Sequence, residues 1–198
     1  MRNETVEKRR KEIFQAALKI FSQKGFDKAT LDEIADKVKL SKPALYLYFK
    51  NKENLIISLV DEILKEYNET FESDIRACKK PFEKLRFIIS NQIDFFKRNK
   101  EFFRITRNIH IESASKEKSH LHNKFMIMYT DYMEKIVSVI HECIKAKLLI
   151  EEDKYFLTFS LMGLINHNVI QCLWRFNGKF PRDLDKKILD LFLKGAGR

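Results

Sequence analysis

The stretch that decides the fold is residues 30–49, TLDEIADKVKLSKPALYLYF. Thr30 and Glu33 have the spacing of a capping box, in which the threonine hydroxyl and the glutamate carboxylate each accept a hydrogen bond from the other residue's backbone N–H at the start of a helix. Ser41 is a second N-cap candidate, ahead of another short helical segment that ends near Phe49. The pattern predicts two short helices joined by a tight turn, which is the spacing of a helix-turn-helix.

Longer amphipathic helices are predicted on both sides of this stretch. Upstream, apolar residues recur at helical spacing and stop before Gly25, whose position is typical of a helix C-cap. This apolar stripe consists of Val6, Ile13, Phe14, Ala17, Leu18 and Phe21. Downstream, Asn51 is a further N-cap candidate, and a long helix is predicted from Lys52 to about Ile75. Three helices are therefore expected in the first fifty residues, with a fourth leading into the rest of the chain.

Composition extends the helical prediction to the whole chain. Among 198 residues there are only five Gly and three Pro, while 44% are apolar. So few turn residues argue against a sandwich or barrel, and the apolar content suffices for a sizeable core. Helical periodicity resumes at Pro81, and the polar stretch 112–119 is predicted to be a loop. We expect an all-α protein of about nine helices, with a helix-turn-helix domain at 1–52 and a helical bundle at 53–198.

Positive charge is concentrated near the N-terminus. The formal net charge is +10, and residues 1–55 alone hold 13 Lys and Arg against 8 Asp and Glu. This local excess favours an anionic partner for the first segment, although such charge is also compatible with a solvated face. The three cysteines form no CxxC motif, and the longest nearly apolar stretch, 155–165, is too short to span a bilayer. We therefore expect a cytoplasmic protein without a membrane partner.

The second short helix of the motif is expected to face DNA. At 100° per residue, Leu45 and Phe49 share the side that packs on the core, whereas Leu47 lies opposite. An outward leucine on a short basic helix suits a thymine methyl group in the major groove; contact with another protein segment is the alternative. The residues expected at the DNA surface are Thr30, Ser41, Lys42, Pro43, Tyr46, Leu47, Tyr48 and Lys52.

Each of these residues has a role that DNA chemistry would explain and a simpler structural one. Lys42 can reach a base edge or a phosphate, and the tyrosine hydroxyls can donate to phosphates. Thr30 and Lys52 begin helices, where free backbone N–H groups and the helix dipole attract phosphate. The alternatives are that Thr30 only caps its helix, that the tyrosines only pack, and that Lys52 is only solvated.

The combined motifs resemble the N-terminal signature of TetR-like (tetracycline-repressor-type) transcriptional regulators. The matching elements are Phe21–Phe26, Thr30–Ala35, Leu40–Phe49 and Lys52–Leu55, and the resemblance covers about residues 10–60. It implies a DNA-binding regulator, in that family commonly a repressor, that binds a palindromic operator as a homodimer and is released by a small effector. The chain departs from the family pattern at Lys39 and Pro43, where the family often has glycine, which puts the detailed base contacts in question.

The effector is expected to bind inside the helical bundle. Polar residues in otherwise apolar helices are the best indication, because buried polar groups need partners; satisfied core or interface groups are the alternative. Aromatic and thioether side chains would supply a hydrophobic surface. The residues expected at the effector site are Asn91, Phe95, His110, Met128, Asn166, His167, Gln171 and Trp174.

Dimerisation is expected through the last two helices, at about 155–176 and 183–195. The first of these is apolar nearly all round, so it must be buried on every side. The second carries the stripe Leu184, Ile188, Leu191 and Phe192, which needs a partner if the helix lies at the surface of the monomer. Pairing of both helices with their copies about a two-fold axis would cover these surfaces.

Other function classes are less compatible with the sequence. The pairs at 120/122 and 141/143 diverge by about 200° on a helix, so neither pair can share a metal ion. Because no nucleotide-binding, zinc-protease or di-iron motif is present, we expect no catalytic activity, no cofactor and no metal site. The remaining alternative is a helical protein-interaction or metal-responsive regulator that has no small organic effector.

Overall fold

The computed structural model describes residues 2–101, 103 and 116–197. These residues form eight helices joined by turns. In chain order the helices are α1 (Arg2–Lys24), α2 (Leu31–Lys37), α3 (Lys42–Tyr48), α4 (Lys52–Ala77), α5 (Pro81–Arg98), α6 (Lys116–Lys145), α7 (Lys154–Trp174) and α8 (Leu184–Ala196). The all-α prediction is confirmed.

Two boundaries differ from those expected. Residues 116–119, predicted to lie in a loop, form the first turn of α6, and α4 continues to Ala77 instead of ending near Ile75. A run of polar residues carries no apolar period, so periodicity alone could not separate that first turn from a loop. The additional helix predicted around residues 102–109 lies outside the described residues, apart from Phe103.

The chain divides into two compact units. Unit 1 comprises Met1–Lys65 and Glu101–Phe125, and unit 2 comprises Glu66–Lys100 and Met126–Arg198. The division falls inside α4, so this helix contributes residues to both units. The functional domain boundary expected between residues 52 and 53 stays a prediction.

Unit 1 has one apolar core, built by α1, α2, α3 and the first half of α4. Buried aromatic rings occupy its centre, with the ring centroids of Phe14 and Phe49 5.4 Å apart. The predicted stripe of α1 supplies most of the first layer, and Ile13 and Ala17 are fully buried. Val6 is the exception and is exposed, because it lies two turns ahead of Ile13, where the core begins.

All three predicted N-caps are present, and the side chain of Asn51 accepts a hydrogen bond from the Asn54 N–H at 2.7 Å at the start of α4. The Thr30 hydroxyl accepts a hydrogen bond from the Glu33 N–H at 3.3 Å, and the Glu33 carboxylate accepts one from the Thr30 N–H at 3.2 Å. The side chain of Ser41 accepts from the Ala44 N–H at 3.4 Å. A hydrogen bond from Lys24 lowers the pKa of Glu33, which keeps the capping carboxylate ionised. These caps fix where α2 and α3 begin.

The turn between α2 and α3 is closed by hydrogen bonds around a strained lysine. Lys39 has φ of 54°, in the left-handed region, while the N–H of Leu40 donates to the Ala35 carbonyl at 2.9 Å. The Arg9 guanidinium donates to the Val38 carbonyl at 3.0 Å and anchors the turn to α1. A left-handed residue with a Cβ costs up to about 1–2 kcal/mol. These hydrogen bonds hold the turn in that conformation despite the lysine.

We expect Lys39→Gly to raise the free energy of unfolding by about 1 kcal/mol, because glycine adopts the left-handed conformation without the Cβ clash. The Lys39 side chain is exposed, so its removal sacrifices no core packing. Urea denaturation followed by circular dichroism measures the change. The matched control is Lys37→Gly in the last turn of α2, which should instead lower stability, by up to about 1 kcal/mol. Equal effects of the two substitutions would contradict the assignment of strain to Lys39.

In unit 2, α8 buries its apolar stripe against its own chain. Leu184, Ile188 and Phe192 are buried, and α8 packs against α5 and α7. The expectation that this stripe needs a partner molecule is therefore wrong for these three residues. Leu191 alone of the four predicted residues is exposed, at 57%. Periodicity identifies an apolar face but not the element that covers it, and here two helices of the same chain do so.

Helix α7 is not buried on every side within the chain. Phe156 is 61% exposed, Phe159 57% and Trp174 45%. These three side chains share one side of the helix, at 18-residue spacing from first to last, and we call them the α7 stripe. The opposite side, which includes Leu161 and Ile165, is buried in unit 2. The expectation of burial all round is thus wrong for the single chain, and the α7 stripe is the surface left uncovered.

One described helix, α7, is long and apolar enough to cross a membrane by length and composition alone. This differs from the expectation based on residues 155–165, because the helix extends the apolar stretch to 21 residues. The buried side of α7 packs with the other helices of unit 2, as the core helix of a folded domain does.

Candidate nucleic-acid interface and effector site

Helix α3 is fixed on unit 1 by one side and free on the other. Leu45 and Phe49 are both 1% exposed and lie in the core, as predicted. Pro43 and Tyr46 are exposed on the remaining surface, together with Leu47. A seven-residue helix held by its cap and two buried side chains presents its outer side as a rigid ridge.

Leu47 is the most exposed large apolar residue of the described chain, at 88%. Leaving a leucine in water forgoes about 1.5–3 kcal/mol of burial free energy, so its exposure needs a reason. A thymine methyl group in the major groove is an apolar surface of suitable size. The position of Leu47 on the outer side of α3 fits that contact.

Lys42 pairs with Asp32 across the helix-turn-helix. The ammonium lies 2.5 Å from the carboxylate, and both side chains are exposed. The hydrogen bond to Asp32 raises the pKa of Lys42, so the residue is cationic. Exposed ion pairs contribute little stability, and a phosphate can replace the carboxylate as a partner. Lys42 therefore remains compatible with the expected DNA contact.

Lys52 has partners that the sequence did not suggest. Its ammonium donates to the carbonyls of Phe26, Asp27 and Ala29, at 2.6, 3.1 and 3.0 Å, and lies 4.6 Å from the centre of the Phe26 ring. These contacts occupy all three N–H donors of the group. Lys52 therefore ties the loop between α1 and α2 to the start of α4, and its expected phosphate contact stays a prediction.

The other predicted DNA residues divide into two groups. Thr30 and Ser41 use their side-chain oxygens as cap acceptors, which leaves each hydroxyl proton free to donate to a phosphate. Both side chains are exposed. Tyr48 differs, because it is half-buried and packs against the core of unit 1. Its packing matches the simpler of the two expected roles.

Two further cations beside α3 were missed by the motif-based prediction. Lys39 in the turn and Lys50 after α3 are both exposed, and neither forms an ion pair among the described residues. Lys42 is paired and Lys52 is bound to carbonyls, so these two lysines are the better candidates for unspecific phosphate contacts. Their position next to α3 was visible in the sequence, but their freedom from partners was not.

Unit 2 contains a buried polar group that we call the tyrosine cluster, formed by Tyr67, Gln92 and Tyr132. The Gln92 carbonyl accepts hydrogen bonds from Tyr67 at 2.9 Å and from Tyr132 at 2.6 Å, and the two hydroxyl oxygens are 2.9 Å apart. Because two hydroxyl protons cannot serve three contacts, at least one of these oxygens can still accept a hydrogen bond from another donor. The cluster lies among aromatic rings. The ring centroid of Phe71 is 5.2 Å from that of Tyr132, and the ring centroid of Phe95 is 4.1 Å from that of Tyr67.

The tyrosine cluster is uncharged at neutral pH. Burial raises the pKa of Tyr67, and the neighbouring Tyr132 hydroxyl and Asn91 amide partly offset this effect. Burial also raises the pKa of Tyr132 well above its ordinary value. A neutral, aromatic environment with spare hydrogen-bonding capacity suits an apolar molecule with a polar, uncharged group.

The structure separates the expected effector residues. Asn91 and Phe95 lie beside the tyrosine cluster, as their contacts with Tyr67 show. His167 and Trp174 are instead exposed on α7. The remaining predicted residues fall in three situations: Gln171 lines a cavity near the end of α7, the Oδ1 of Asn166 is buried with no hydrogen-bond partner among the described residues, and His110 and the Met128 side chain lie outside them.

Tyr67 and Tyr132 were not among the predicted effector residues. Gln92 carried a signal, as a polar residue between the apolar Ile89 and Ile93. The tyrosines did not, because a tyrosine at helical spacing is indistinguishable from an ordinary core residue in the sequence. Only the three-dimensional structure brings the hydroxyls, 65 residues apart, onto one amide.

We expect Tyr132→Phe to lower the free energy of unfolding by about 1 kcal/mol, because it removes one hydroxyl from a buried network and leaves Gln92 with fewer donors. Thermal and urea unfolding of the purified variant measure the loss. Tyr46→Phe, at an exposed position on α3, is the matched control and should change stability by less than about 0.5 kcal/mol. A neutral Tyr132→Phe would show that the cluster contributes nothing to folding.

Comparison with known proteins agrees with the geometry of unit 1. Residues 13–59 match the family model of bacterial regulatory proteins, tetR family. The fatty acid metabolism regulator protein of Bacillus subtilis is 34% identical over 79 residues, which are 40% of this chain and 41% of that protein. The HTH-type transcriptional repressor NicS of Pseudomonas putida is 31% identical over 113 residues, which are 56% of this chain and 53% of that protein. The chain thus spans about half the length of these curated relatives.

The likeness extends along the chain at the level of fold. The structure of the transcriptional regulator FadR from Bacillus subtilis, in complex with stearoyl-CoA, superposes with a TM-score of 0.76. The two chains are 23% identical, and the alignment covers 93% of this chain and 97% of that one. The arrangement of an N-terminal helix-turn-helix and a following helical domain is therefore shared.

Proposed function

We propose, from the premise that residues 13–59 belong to the tetR family of bacterial regulatory proteins, that this chain is a DNA-binding transcriptional regulator. The observation that carries the proposal is the outer side of α3, where Pro43, Tyr46 and Leu47 are exposed on a helix whose other side is locked in the core. A helix of this width enters the major groove, and its exposed side chains then meet base edges. Repression is the outcome that the name of one relative, the transcriptional repressor NicS of Pseudomonas putida, favours.

The protein is proposed to act as a homodimer on a palindromic operator. The α7 stripe and Leu191 are the large apolar surfaces that α7 and α8 leave uncovered, and a second copy would bury them about a two-fold axis. A dimer places two α3 helices in successive turns of one face of DNA, about 34 Å apart. Sedimentation velocity across a dilution series should show a dimer at micromolar concentration, and monomer alone would contradict this part of the proposal.

Selection from random-sequence duplex DNA tests the DNA-binding function. The full chain should enrich a palindromic sequence whose half-sites are separated by one helical turn or a multiple of it. The selection is carried out at about 0.15 M salt, where unspecific electrostatic binding is weakened. If no particular sequence were enriched, the result would oppose the proposal. An N-terminal segment that binds another protein, the alternative class, would give that result.

The effector is proposed to be a largely hydrophobic molecule that occupies the surroundings of the tyrosine cluster. Aromatic walls, a neutral polar group and the adjoining Asn91 support this site. The name of the Bacillus subtilis relative and the ligand of the FadR structure favour a fatty-acyl compound. Since α4 carries Tyr67 in unit 2 and Lys52 in unit 1, displacement of this helix by an effector would reach the DNA-binding unit along the backbone.

Stearoyl-CoA and coenzyme A form a matched pair of probes for the effector. We expect stearoyl-CoA to release the protein from its selected DNA, and coenzyme A, which has no acyl chain, to leave the complex intact. Fluorescence anisotropy of labelled DNA reports both results. Release by both compounds, or by neither, would exclude recognition of the acyl chain.

The described residues contain no group of three His, Cys, Asp or Glu side chains that could hold a metal ion, so nothing in that part of the chain favours a metal-responsive mechanism.

The proposed role requires no catalysis, and the family match points to a class of regulators that is not enzymatic. A cytoplasmic location follows from the proposed DNA partner. Both statements are part of the proposal and depend on the DNA-binding function.

A further inference from the structure

A second site lies in unit 2, apart from the tyrosine cluster, where α7 ends and the chain turns toward α8. A cavity of about 630 Å³ opens there. This volume is within the usual range of small-molecule sites. Its lining includes Asn168, Gln171, Arg175, Phe176, Lys179 and Phe180.

The two charged residues that line this cavity, Arg175 and Lys179, are both cations. Residues 154–182 contain two lysines and two arginines and no Asp or Glu. Arg175 and Lys179 line the cavity and form no ion pair among the described residues. The nearest acidic residues in chain order are engaged elsewhere, since Asp183 pairs with Lys187 at 3.1 Å. The cavity thus presents two free cations and no carboxylate to an incoming molecule.

The rest of the lining is apolar and aromatic, with amides at one side. Phe176 and Phe180 contribute rings, while Asn168 and Gln171 project from the same side of α7 as Arg175, at spacings of three and four residues. The Phe180 ring is held by two lysines, with the ammonium groups of Lys97 and Lys100 5.8 and 5.6 Å from its centre. This aromatic wall is therefore positioned before any ligand arrives.

The turn itself is fastened to Lys100, two residues after the end of α5. The Lys100 ammonium donates to the Gly178 carbonyl at 2.9 Å, and Gly178 has φ of 75° beside Asn177 at 49°. A Cβ at Gly178 would lie 3.3 Å from the Lys100 ammonium, so the close approach favours glycine. The segment that carries Arg175 and Lys179 is consequently held in one conformation, which lowers the entropic cost of binding.

We propose that this cavity binds an organic anion with a flat apolar body, such as an aromatic carboxylate. The guanidinium of Arg175 would take the carboxylate through two parallel N–H···O bonds, and Lys179 would add a second cation. The rings of Phe176 and Phe180 would cover the apolar body. This site is distinct from the proposed effector site, and the inference does not depend on the proposed function.

Isothermal titration calorimetry on the full chain tests the inference, with 1-naphthoate as the probe. Two comparison compounds separate its parts: 1-naphthamide keeps the ring without the charge, and inorganic phosphate keeps the charge without the ring. We expect 1-naphthoate to bind at least about ten-fold more tightly than either compound. Equal binding of 1-naphthamide, binding of phosphate alone, or no binding of 1-naphthoate would each overturn the proposal.

Variants then locate the bound probe. Arg175→Gln and Lys179→Gln each remove one cation from an exposed position, and each should weaken 1-naphthoate binding by about ten-fold or more. Lys186→Gln, an exposed lysine on α8 outside the cavity, is the matched control and should bind as the wild type does. Tyr132→Phe should also leave binding unchanged. Loss of binding in Tyr132→Phe, or equal binding by all three charge variants, would place the anion elsewhere and contradict the proposal.

Discussion

Leu47→Glu is expected to weaken operator binding by about 100-fold while leaving the fold intact. The substitution places a carboxylate on the outer side of α3, where it would face the phosphates and base edges of the major groove in place of a thymine methyl group. A lost or repelled base contact costs about 1–3 kcal/mol, and a dimer presents the substitution twice. Because Leu47 is 88% exposed, no packing in the core changes. Fluorescence anisotropy with the selected operator measures the affinity.

Two controls separate contact from charge. Gln15→Glu adds the same negative charge at an exposed position on α1 and should weaken binding far less than Leu47→Glu does. Leu47→Ala adds no charge to the outer side of α3. It should mainly reduce the free energy by which one base pair is preferred over the others, by about 1–3 kcal/mol. If Gln15→Glu and Leu47→Glu weakened binding equally, only net charge would matter, and α3 would lose its assignment as the recognition helix.

Lys52→Met is expected to lower the free energy of unfolding by roughly 2–3 kcal/mol. The ammonium serves three carbonyls of the loop between α1 and α2, and hydrogen bonds to a charged group contribute about 1.5–3 kcal/mol. Methionine keeps the length of the side chain but donates no hydrogen bond, so the carbonyls of Phe26 and Ala29, which are partly buried, lose a donor. Urea denaturation at several pH values near neutrality measures the change.

The matched control is Lys50→Met, which removes an exposed cation two residues away. Lys50 forms no ion pair among the described residues, so its loss should change stability by less than about 0.5 kcal/mol. It should instead weaken DNA binding on every sequence and flatten the dependence of affinity on salt by about one unit. The opposite pattern would support the phosphate contact of Lys52 that the sequence predicts. Lys52→Met would then keep its stability, while its affinity for DNA would depend less on salt.

The helix-turn-helix of unit 1 was predictable because its determinants are local. A capping box, a serine N-cap and the alternation of Leu45 and Phe49 with Leu47 each act within a few residues, and the structure reproduces all of them. The carbonyl partners of Lys52 could not be predicted, because they lie 23–26 residues earlier in a loop that carries no motif, and its phosphate contact stays a prediction. A charge next to a DNA-facing helix can bind phosphate or its own backbone, and only the fold decides which.

Unit 2 was less predictable because the determinants of its polar cluster are distant in sequence. Three helices bring Tyr67, Gln92 and Tyr132 together, and no short-range pattern links them. The stripe of α8 was identified correctly as apolar, but it was predicted to pack against a partner molecule. In the structure, α5 and α7 of the same chain bury Ile188 and its neighbours. Apolar periodicity states that a face will be buried, whereas the topology determines against what.

Sequence recognition by α3 is measured most directly as a ratio of two affinities. The affinity for the selected operator is divided by the affinity for a scrambled duplex of the same length. Measured at about 0.15 M salt with the full chain, this ratio should reach at least about 1,000 and fall toward one in Leu47→Glu. Two protomers should bind each operator duplex. A wild-type ratio near one, with both duplexes bound through charge alone, would contradict the conclusion that α3 of this protein recognises a DNA sequence.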